Sequence, residues 1–247
     1  MDKFAYIAAN AARNTLIAQG VTSHNLANVN TTGFKADLDR FSANPVYGPG
    51  AATRVYAQDE ENGYNAADGS LMHTENPLDL GLSGEGWFAV QNMEGELGYT
   101  RRGDFRQDAN GTLINGDGHA LLGAGGSPIN LPPFEAITVA NDGTITIQPA
   151  GATANELAVV DRVSMVSGDG QKLVKGRDGL FREETNQPLP ESPFVSLRSG
   201  SLESSNVNAV DSMVQMIEHA RAFQVQVKLL DQAEQLDNSA SNLLSAN

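Results

Sequence analysis

Residues 25–35 read Asn-Leu-Ala-Asn-Val-Asn-Thr-Thr-Gly-Phe-Lys, and this stretch separates two kinds of sequence. Asn25 and Asn28 are three residues apart, so on a helix their amides project from one face. The run from Asn30 to Gly33 favours caps and turns over helix interiors, and Gly33 can adopt the positive φ that ends a helix. We therefore predict that a helix ends here and an extended segment begins. The asparagine side chains are expected to satisfy backbone or partner groups.

Helix-breaking residues are concentrated in the middle of the chain. All ten prolines lie between Pro45 and Pro193. Of the 25 glycines, only Gly20 precedes Gly33, and none follows Gly200. Both ends are therefore compatible with long helices, whereas the centre is compatible with turn-rich β-structure.

Composition excludes several classes of protein. The net charge of −14 argues against nucleic acid or an anionic membrane surface as a partner. The chain has no run of about 18 apolar residues, so membrane insertion is not predicted. The N-terminal segment lacks the continuous apolar block of a secretory signal, so none is expected. Because the chain contains no cysteine, disulfides and thiolate metal sites are excluded.

Each end of the chain carries an apolar stripe with the spacing of a helix that packs on another helix. The N-terminal stripe is rich in alanine, which allows close approach but buries little area, so this helix needs partners. The C-terminal stripe is stronger, and charged residues lie between its apolar positions. We predict that the two helices pair with each other and then with further copies. The predicted helix seam consists of Phe4, Ala8, Ala11, Ala18, Val210, Met213, Val214, Ile217, Ala220, Val227 and Leu230.

The centre has the pattern of short antiparallel strands. Asn141-Asp142-Gly143 lies between two strand-like runs and predicts a hairpin. The predicted fold is α+β and multidomain, with N- and C-terminal helices paired as a coiled-coil domain and a central antiparallel all-β domain. The N-terminal helix with its signature is expected at 1–35 and the C-terminal helix at 203–247. Between them we expect an extended linker at 36–70, with one strand near 53–57, and the β domain at 71–202.

The sequence contains no convincing catalytic or metal-binding pattern. The four histidines fall in different predicted elements and lack metal-ligand spacing. The motif Gly-Glu-Gly-Trp-Phe-Ala at 84–89 fits a dinucleotide-binding pattern, but a strand follows it instead of a helix, which indicates a β-turn. Arg101-Arg102 could clamp a phosphate, yet on an acidic chain we expect a charge contact within the sheet or between subunits. We therefore predict no enzymatic activity and no cofactor.

Four sequence blocks, in order, resemble those of the bacterial flagellar rod and hook protein family. Three are Asp-Leu through Gly-Trp-Phe-Ala-Val at 79–90, Tyr-Thr-Arg through Gly-Asp-Phe at 99–105, and Gly-Ser-Leu-Glu-Ser-Ser-Asn-Val at 200–207. Gly-Phe-Lys-Ala-Asp-Leu at 33–38 is similar to the proximal rod subgroup. The fourth block, which comes first along the chain, is the N-terminal signature, formed by Asn25, Leu26, Ala27, Asn28, Thr31, Gly33, Phe34 and Lys35.

The resemblance implies a structural subunit of the flagellar basal-body rod, with a coiled-coil terminal domain lining an axial channel and a β domain outside it. It implies other rod subunits as partners, and export by the flagellar type III apparatus without a cleavable signal peptide. The implied location is the periplasm-spanning rod. The alternatives are a distal rod or other axial subunit, a non-flagellar coiled-coil fibre protein, and an enzyme with helical oligomerisation tails. The enzyme would need a convergent polar cluster within residues 70–200.

Overall fold

A computed structural model describes residues 4–45, 55–151, 156–168, 173–185, 187–192 and 194–245. Within these residues the chain forms two units. Unit 1 takes the described residues of Met1–Val29, Ala36–Asn65 and Val207–Asn247, and unit 2 takes those of Asn30–Lys35 and Ala66–Asn206. The chain therefore passes between the units four times, after residues 29, 35, 65 and 206.

Unit 1 contains two helices and a β-ribbon. The elements are α1 (Phe4–Ala27), β1 (Asp37–Pro45), β2 (Val55–Tyr64) and α2 (Ala209–Ser245). The helices contact each other, and α1 also contacts both strands. Asn208 caps α2, because its side-chain oxygen accepts hydrogen bonds from the first amides of that helix. Neither described helix combines the length and the apolar character needed to cross a membrane.

The prediction of an extended linker at 36–70 is wrong. Most of this segment forms the antiparallel ribbon β1–β2, with a register shift between Leu38 and Arg40. The polar composition suggested a linker, but a ribbon satisfies its backbone groups by pairing and needs few apolar side chains. The ribbon is also hydrogen-bonded to α1, since the amides of Asn10 and Asn14 donate to the carbonyl of Ala57 at 3.2 and 3.0 Å. Residues 53 and 54 of the predicted strand lie outside the described residues.

Unit 2 is built from short strands, and every strand pairing described in it is antiparallel. The strands are β3 (Leu71–His73), β4 (Leu80–Ser83), β5 (Trp87–Gln91), β6 (Leu97–Thr100), β7 (Arg106–Gln107), β8 (Leu113–Ile114), β9 (Ala120–Leu121), β10 (Phe134–Val139), β11 (Thr144–Pro149), β12 (Ala158–Arg162), β13 (Met165–Val166), β14 (Leu173–Lys175), β15 (Phe181–Glu183), β16 (Ser196–Ser199) and β17 (Ser201–Glu203).

Strand β5 is central to the larger sheet of unit 2. That sheet runs β14-β15-β6-β5-β9-β8-β7, and β13 also pairs with β5. A second sheet has the order β10-β11-β12, and two further pairs are β16-β4 and β17-β3. Residues 87–90 of β5 are all buried, as expected for a strand that lies inside a core.

An apolar core holds unit 2 together. It includes Phe88 and Phe105, whose rings pack edge to face with centroids 5.4 Å apart. The predicted hairpin is confirmed: β10 pairs with β11, and Gly143 adopts a φ of 85° in the connecting turn. Along β11 the apolar residues Ile145 and Ile147 are buried and alternate with partly exposed residues. The α+β class and the antiparallel β domain are therefore confirmed.

We predict that Phe88→Ala destabilises unit 2 by about 3–5 kcal/mol, because Phe88 is fully buried and the truncation leaves a cavity. Urea unfolding followed by the fluorescence of Trp87, the one tryptophan of the chain, measures this change. The matched control is Phe194→Ala, since Phe194 is 93% exposed. Equal unfolding midpoints for the two variants would contradict the placement of Phe88 in the core.

Candidate functional site

The signature at 25–35 is divided between the two units, and its asparagines lie in unit 1. Asn25 pairs with the backbone of Asp37: its Nδ2 donates to the carbonyl at 2.9 Å, and its Oδ1 accepts from the amide at 2.8 Å. Asn28 Nδ2 donates to the carbonyl of His24 at 2.9 Å, near the end of α1. The prediction that these asparagines satisfy backbone groups is confirmed. Leu26 is half-buried.

Gly33 belongs to unit 2 and does not end the helix, since α1 ends at Ala27. The expected helix stop is therefore wrong, although the positive φ is present at 66°. The amide of Gly33 donates to the carbonyl of Glu203 at 2.8 Å. A Cβ on Gly33 would lie 2.3 Å from the backbone carbon of Arg101. Glycine is required here because two backbone segments touch.

Four charged side chains of unit 2 form a closed ring of ion pairs, which we call the charge cluster: Lys35, Asp68, Arg101 and Glu203. The Nζ of Lys35 lies 2.9 Å from Asp68 Oδ1 and 3.0 Å from Glu203 Oε1. The guanidinium of Arg101 lies 2.9 Å from Asp68 Oδ1 and 3.1 Å from Glu203 Oε2. Each cation therefore bridges both carboxylates, and the formal charges cancel.

Burial distinguishes the charge cluster from ordinary surface ion pairs. Lys35, Arg101 and Glu203 are each at most 3% exposed, whereas the Asp68 side chain is 44% exposed. Buried charges are tolerated only when they are paired and hydrogen-bonded. Asp68 is the member through which the cluster reaches solvent.

Backbone groups supply further hydrogen bonds to the charge cluster, although the buried Nε of Arg101 has no hydrogen-bond partner among the described residues. Lys35 Nζ donates to the carbonyl of Ala67 at 2.9 Å, so its three protons have three acceptors. Arg101 also donates to the carbonyl of Gly84 at 2.8 Å. Glu203 Oε1 accepts a further bond from the amide of Gly69 at 2.9 Å. The cluster is thus tied to the main chain at several separate points.

The three chain segments that carry Lys35, Asp68 and Glu203 also bond to one another through their backbones. The amide of Ser204 donates to the carbonyl of Ser70 at 2.8 Å, and the amide of Asn206 donates to the carbonyl of Phe34 at 3.2 Å. A Cβ on Gly69 would lie 1.9 Å from the carbonyl oxygen of Ser204, so these segments approach as closely as backbones can. They form one compact junction inside unit 2.

Aromatic rings flank the charge cluster. The guanidinium of Arg101 lies 5.6 Å from the ring centroid of Trp87. Lys175 Nζ lies 4.0 Å from the ring centroid of half-buried Phe34 and donates to the carbonyl of Lys35 at 3.1 Å. Such cation–π contacts add a modest attraction where water is excluded. They explain how Phe34 and Lys35, the last two signature residues, are held in unit 2.

The neighbouring Arg102 belongs to a separate ion-pair group. It makes a two-pronged contact with Asp104 at 2.7 and 2.8 Å and a contact with Asp117 at 2.6 Å. Hydrogen bonding to Asp104 raises the pKa of Arg102 above its ordinary value. Both arginines of the Arg101-Arg102 pair are therefore engaged by carboxylates of the same unit. This confirms a charge contact within the β unit in place of a phosphate clamp.

Charged side chains also line an open cavity of about 420 Å³ in unit 2, beside His119. Arg182 lies 2.6 Å from Asp178 and 3.3 Å from Glu96 there, so these groups already neutralise one another. The hydrogen bond from Arg182 lowers the pKa of Asp178. Among the residues that the structure describes, no group of three or more His, Asp or Glu side chains is arranged to hold a metal.

The N-terminal part of the predicted helix seam lies partly on the buried side of α1. Ala8 and Ala18 are buried, and Ala11 is half-buried. Ala12, which the seam did not include, is also buried. The side chain of Phe4 lies outside the described residues.

The C-terminal part of the predicted seam is divided between two sides of α2. On the less exposed side, Gln226 exchanges hydrogen bonds with Thr15 of α1 at 2.9 and 3.1 Å, so this side is turned toward α1. Seam residues on that side are Ala220 and Leu230. The other five seam residues are exposed in the single chain, and they are Val210, Met213, Val214, Ile217 and Val227.

Sequence reasoning found the blocks that carry the charge cluster but missed the cluster itself. Lys35 closes the signature, Arg101 lies in the block at 99–105, and Glu203 lies in the block at 200–207. The sequence offered one weak signal. Alternate side chains of a strand share a face, so the carboxylate of Glu203 lies on the same face as the small residue Ser201. Asp68, within Ala-Asp-Gly, offered no signal beyond that of a turn.

Comparison with known protein families gives three matches along the chain. The flagella basal body rod protein family matches residues 6–35. The flagellar hook protein FlgE/F/G D1 domain matches residues 81–147, and the flagellar basal body rod FlgEFG protein C-terminal family matches residues 198–243. Lys35, Arg101 and Glu203 each lie in a different matched region.

Curated relatives match the chain over nearly its whole length. It is 39% identical over 251 residues to the flagellar basal-body rod protein FlgF of Salmonella typhimurium, and 40% identical over 251 residues to FlgF of Escherichia coli. Each of these alignments covers 99% of both chains. The flagellar basal-body rod protein FlgG of Bacillus subtilis is 29% identical over 246 residues, covering 90% of this chain and 92% of the relative.

We predict that Gly33→Ala destabilises unit 2 by roughly 2 kcal/mol or more, because the new methyl group meets the Arg101 backbone in addition to the positive-φ penalty. Gly179→Ala is the matched control: its φ is 78°, but a Cβ there has no neighbour within 4 Å, so about 1 kcal/mol is expected. Urea denaturation of both variants measures the difference. Equal losses would show that the close approach at Gly33 carries no energetic cost.

We further predict that Arg101→Met costs unit 2 about 3–5 kcal/mol, because Glu203 stays buried with one of its two cations removed. Methionine keeps most of the apolar stem but removes the charge together with the hydrogen bonds to Glu203, Asp68 and Gly84. Arg106→Met is the control, since Arg106 is an exposed residue of unit 2, and a change within about 0.5 kcal/mol is expected there. Circular dichroism during urea unfolding provides the measurement; a stable Arg101→Met variant would contradict the role assigned to the cluster.

Proposed function

The chain belongs to the FlgF family of flagellar basal-body rod proteins, and on this premise we propose that it polymerises into the rod through its two terminal helices. It is a structural subunit and not an enzyme. In the proposed arrangement α1 and α2 pair as a coiled coil, and neighbouring subunits pack against the pair.

Contacts within unit 1 support the pairing of the helices. Thr15 and Gln226 exchange hydrogen bonds between α1 and α2. The buried residues of α1 include Ala8, Ala12 and Ala18, and such small side chains let a partner backbone approach closely. An alanine-rich contact buries little apolar area, so the pair gains further stability when neighbours cover it.

The exposed apolar side of α2 is the observation that carries the proposal. Val210, Met213, Val214 and Ile217 lie at positions i, i+3, i+4 and i+7 of the helix and are between 49% and 68% exposed. Their spacing places them on one side of the helix, away from the side that contains Gln226. A contiguous exposed apolar row on a helix is typical of a protein–protein contact.

Polymerisation follows if this row packs against a different surface of the next subunit. A contact between two different surfaces repeats indefinitely when its rotation does not close, and the result is a helical filament. We therefore assign Val210, Met213, Val214, Ile217 and Val227 to contacts between subunits. Ala8, Ala11, Ala18, Ala220 and Leu230 are assigned to the helix pair within one subunit.

The remaining aspects of the proposal come from the family resemblance. We propose neighbouring proximal and distal rod subunits as partners, and a place in the proximal part of the rod. The similarity of residues 33–38 to proximal rod subunits supports this place, as does the identity of 39% and 40% to FlgF of Salmonella typhimurium and Escherichia coli, against 29% to FlgG of Bacillus subtilis. Export by the flagellar type III apparatus and the absence of a cleavable signal peptide stay predictions of the resemblance.

We predict that Ile217→Lys abolishes rod assembly without unfolding the subunit, because Ile217 is 54% exposed and a buried lysine in the filament would lack a partner. Complementation of a strain that lacks the native gene, scored by swimming motility and by isolated basal bodies, provides the measurement. The purified variant should keep the helix content and the urea midpoint of the parent chain.

Gln215→Lys is the control for this experiment. Residue 215 is exposed on the same turn of α2 and lies outside the apolar row, on the side that contains Gln226. The added charge is the same, so motility should persist. The purified control should also keep the urea midpoint of the parent chain, which would show that the helix pair is intact. Full motility of Ile217→Lys would refute assembly through this side of α2. Loss of motility in both variants would refute the assignment of the apolar row as the specific surface for assembly.

A further inference from the structure

The charge cluster joins parts of the chain that are far apart in sequence. Lys35 and Asp68 are separated by 33 residues, Arg101 and Glu203 by 102, and Lys35 and Glu203 by 168. Glu203 ends β17, the last strand of unit 2, and Lys35 ends the first segment of that unit. The cluster therefore joins the first, middle and last segments of unit 2.

An incomplete cluster would be severely unfavourable. Without Glu203, two buried cations would share only Asp68, whose side chain is half in solvent. Without Lys35, the two carboxylates would share only Arg101. A buried charge that loses its partner destabilises a protein far more than an intact pair stabilises it.

We propose that the charge cluster makes the folding of unit 2 conditional on both ends of that unit, residues 30–35 and residues 203–206. Backbone bonds reinforce the condition: Gly33 donates to Glu203, Gly69 donates to the Glu203 side chain, and Asn206 donates to Phe34. A chain that lacks either segment would leave unpaired charges inside unit 2 and would not reach its native state.

The two segments that complete the charge cluster, residues 30–35 and residues 203–206, end where the chain leaves unit 2. Residues 35 and 206 are the last residues of their segments before the chain continues to β1 and to α2. When unit 2 is native, the segments that precede β1 and α2 are therefore both held in place within it. This inference goes beyond the proposed function, because it concerns the order of folding in one chain and requires no rod.

Native-state hydrogen exchange on the isolated full-length chain tests the proposal. The amides of Gly33, Gly69 and Asn206 report on the cluster, and those of Leu113 and Leu122, which bond to Ile129 and Ala89, report on the core. If folding is conditional, all five amides exchange through one opening with one dependence on denaturant concentration. If Gly33 and Asn206 instead exchange through a denaturant-independent local opening while the core amides stay protected, the proposal is overturned.

Glu203→Gln supplies the second test, with Glu191→Gln as its matched control. Glu203 is buried between two cations, whereas Glu191 forms an exposed pair with Arg162 at 2.8 Å. Exchange at the Leu113 and Leu122 amides should accelerate roughly 100-fold or more in Glu203→Gln, and less than about 5-fold in Glu191→Gln.

Each outcome of the second test decides the question. If Glu203→Gln fails to fold while Glu191→Gln stays native, the result agrees with the proposal, because the loss of one carboxylate then unfolds all of unit 2. Acceleration at Gly33 and Asn206 alone, with the Leu113 and Leu122 amides unchanged, refutes it. Both tests use single chains, so a result that refutes this inference would not bear on assembly through α2. Likewise, a motile Ile217→Lys variant would refute assembly through α2 but would not bear on this inference.

Discussion

The ring of ion pairs among Lys35, Asp68, Arg101 and Glu203 is the constraint on which the rest of unit 2 depends. Three of its four members are excluded from water, so each needs its partners in place before its burial is tolerated. Because every cation contacts both carboxylates, each side chain takes part in two ion pairs, and removing one side chain breaks two of the four contacts. The surrounding structure follows from this demand: glycines at 33 and 69 let the backbones touch, and main-chain groups of Ala67 and Gly69 bond to Lys35 and Glu203.

The two units are stabilised in different ways. Unit 2 has a conventional apolar core, in which Phe88 and Phe105 pack edge to face, and the charge cluster adds directional contacts to it. Unit 1 relies on small residues along α1, on hydrogen bonds such as Thr15 to Gln226, and on bonds from α1 to its β-ribbon. Its helix α2 leaves an apolar row exposed to solvent, which is costly for an isolated chain and useful for a subunit that acquires neighbours.

This division suits a structural rod subunit. A β unit with its own core, and with a charge cluster whose ion pairs all lie within the unit, can be complete before assembly. In the arrangement proposed above, α2 keeps an apolar side exposed in the single chain and buries it in the filament, and that burial would favour assembly. Neither role calls for chemistry, and the charged groups described here serve to pair with one another.

The sequence by itself determined the properties that depend on near neighbours: helical ends, an antiparallel β centre and the hairpin around Asn141-Asp142-Gly143. These follow from periodicity, from the distribution of glycine and proline, and from side-chain chemistry within a few residues. Tertiary structure alone decided that residues 37–45 and 55–64 pair as a ribbon, that Gly33 serves a backbone contact instead of a helix end, and that Lys35 meets Glu203. The physical reason is separation along the chain: the partners of those residues lie tens to more than a hundred positions away, so no local pattern identifies them.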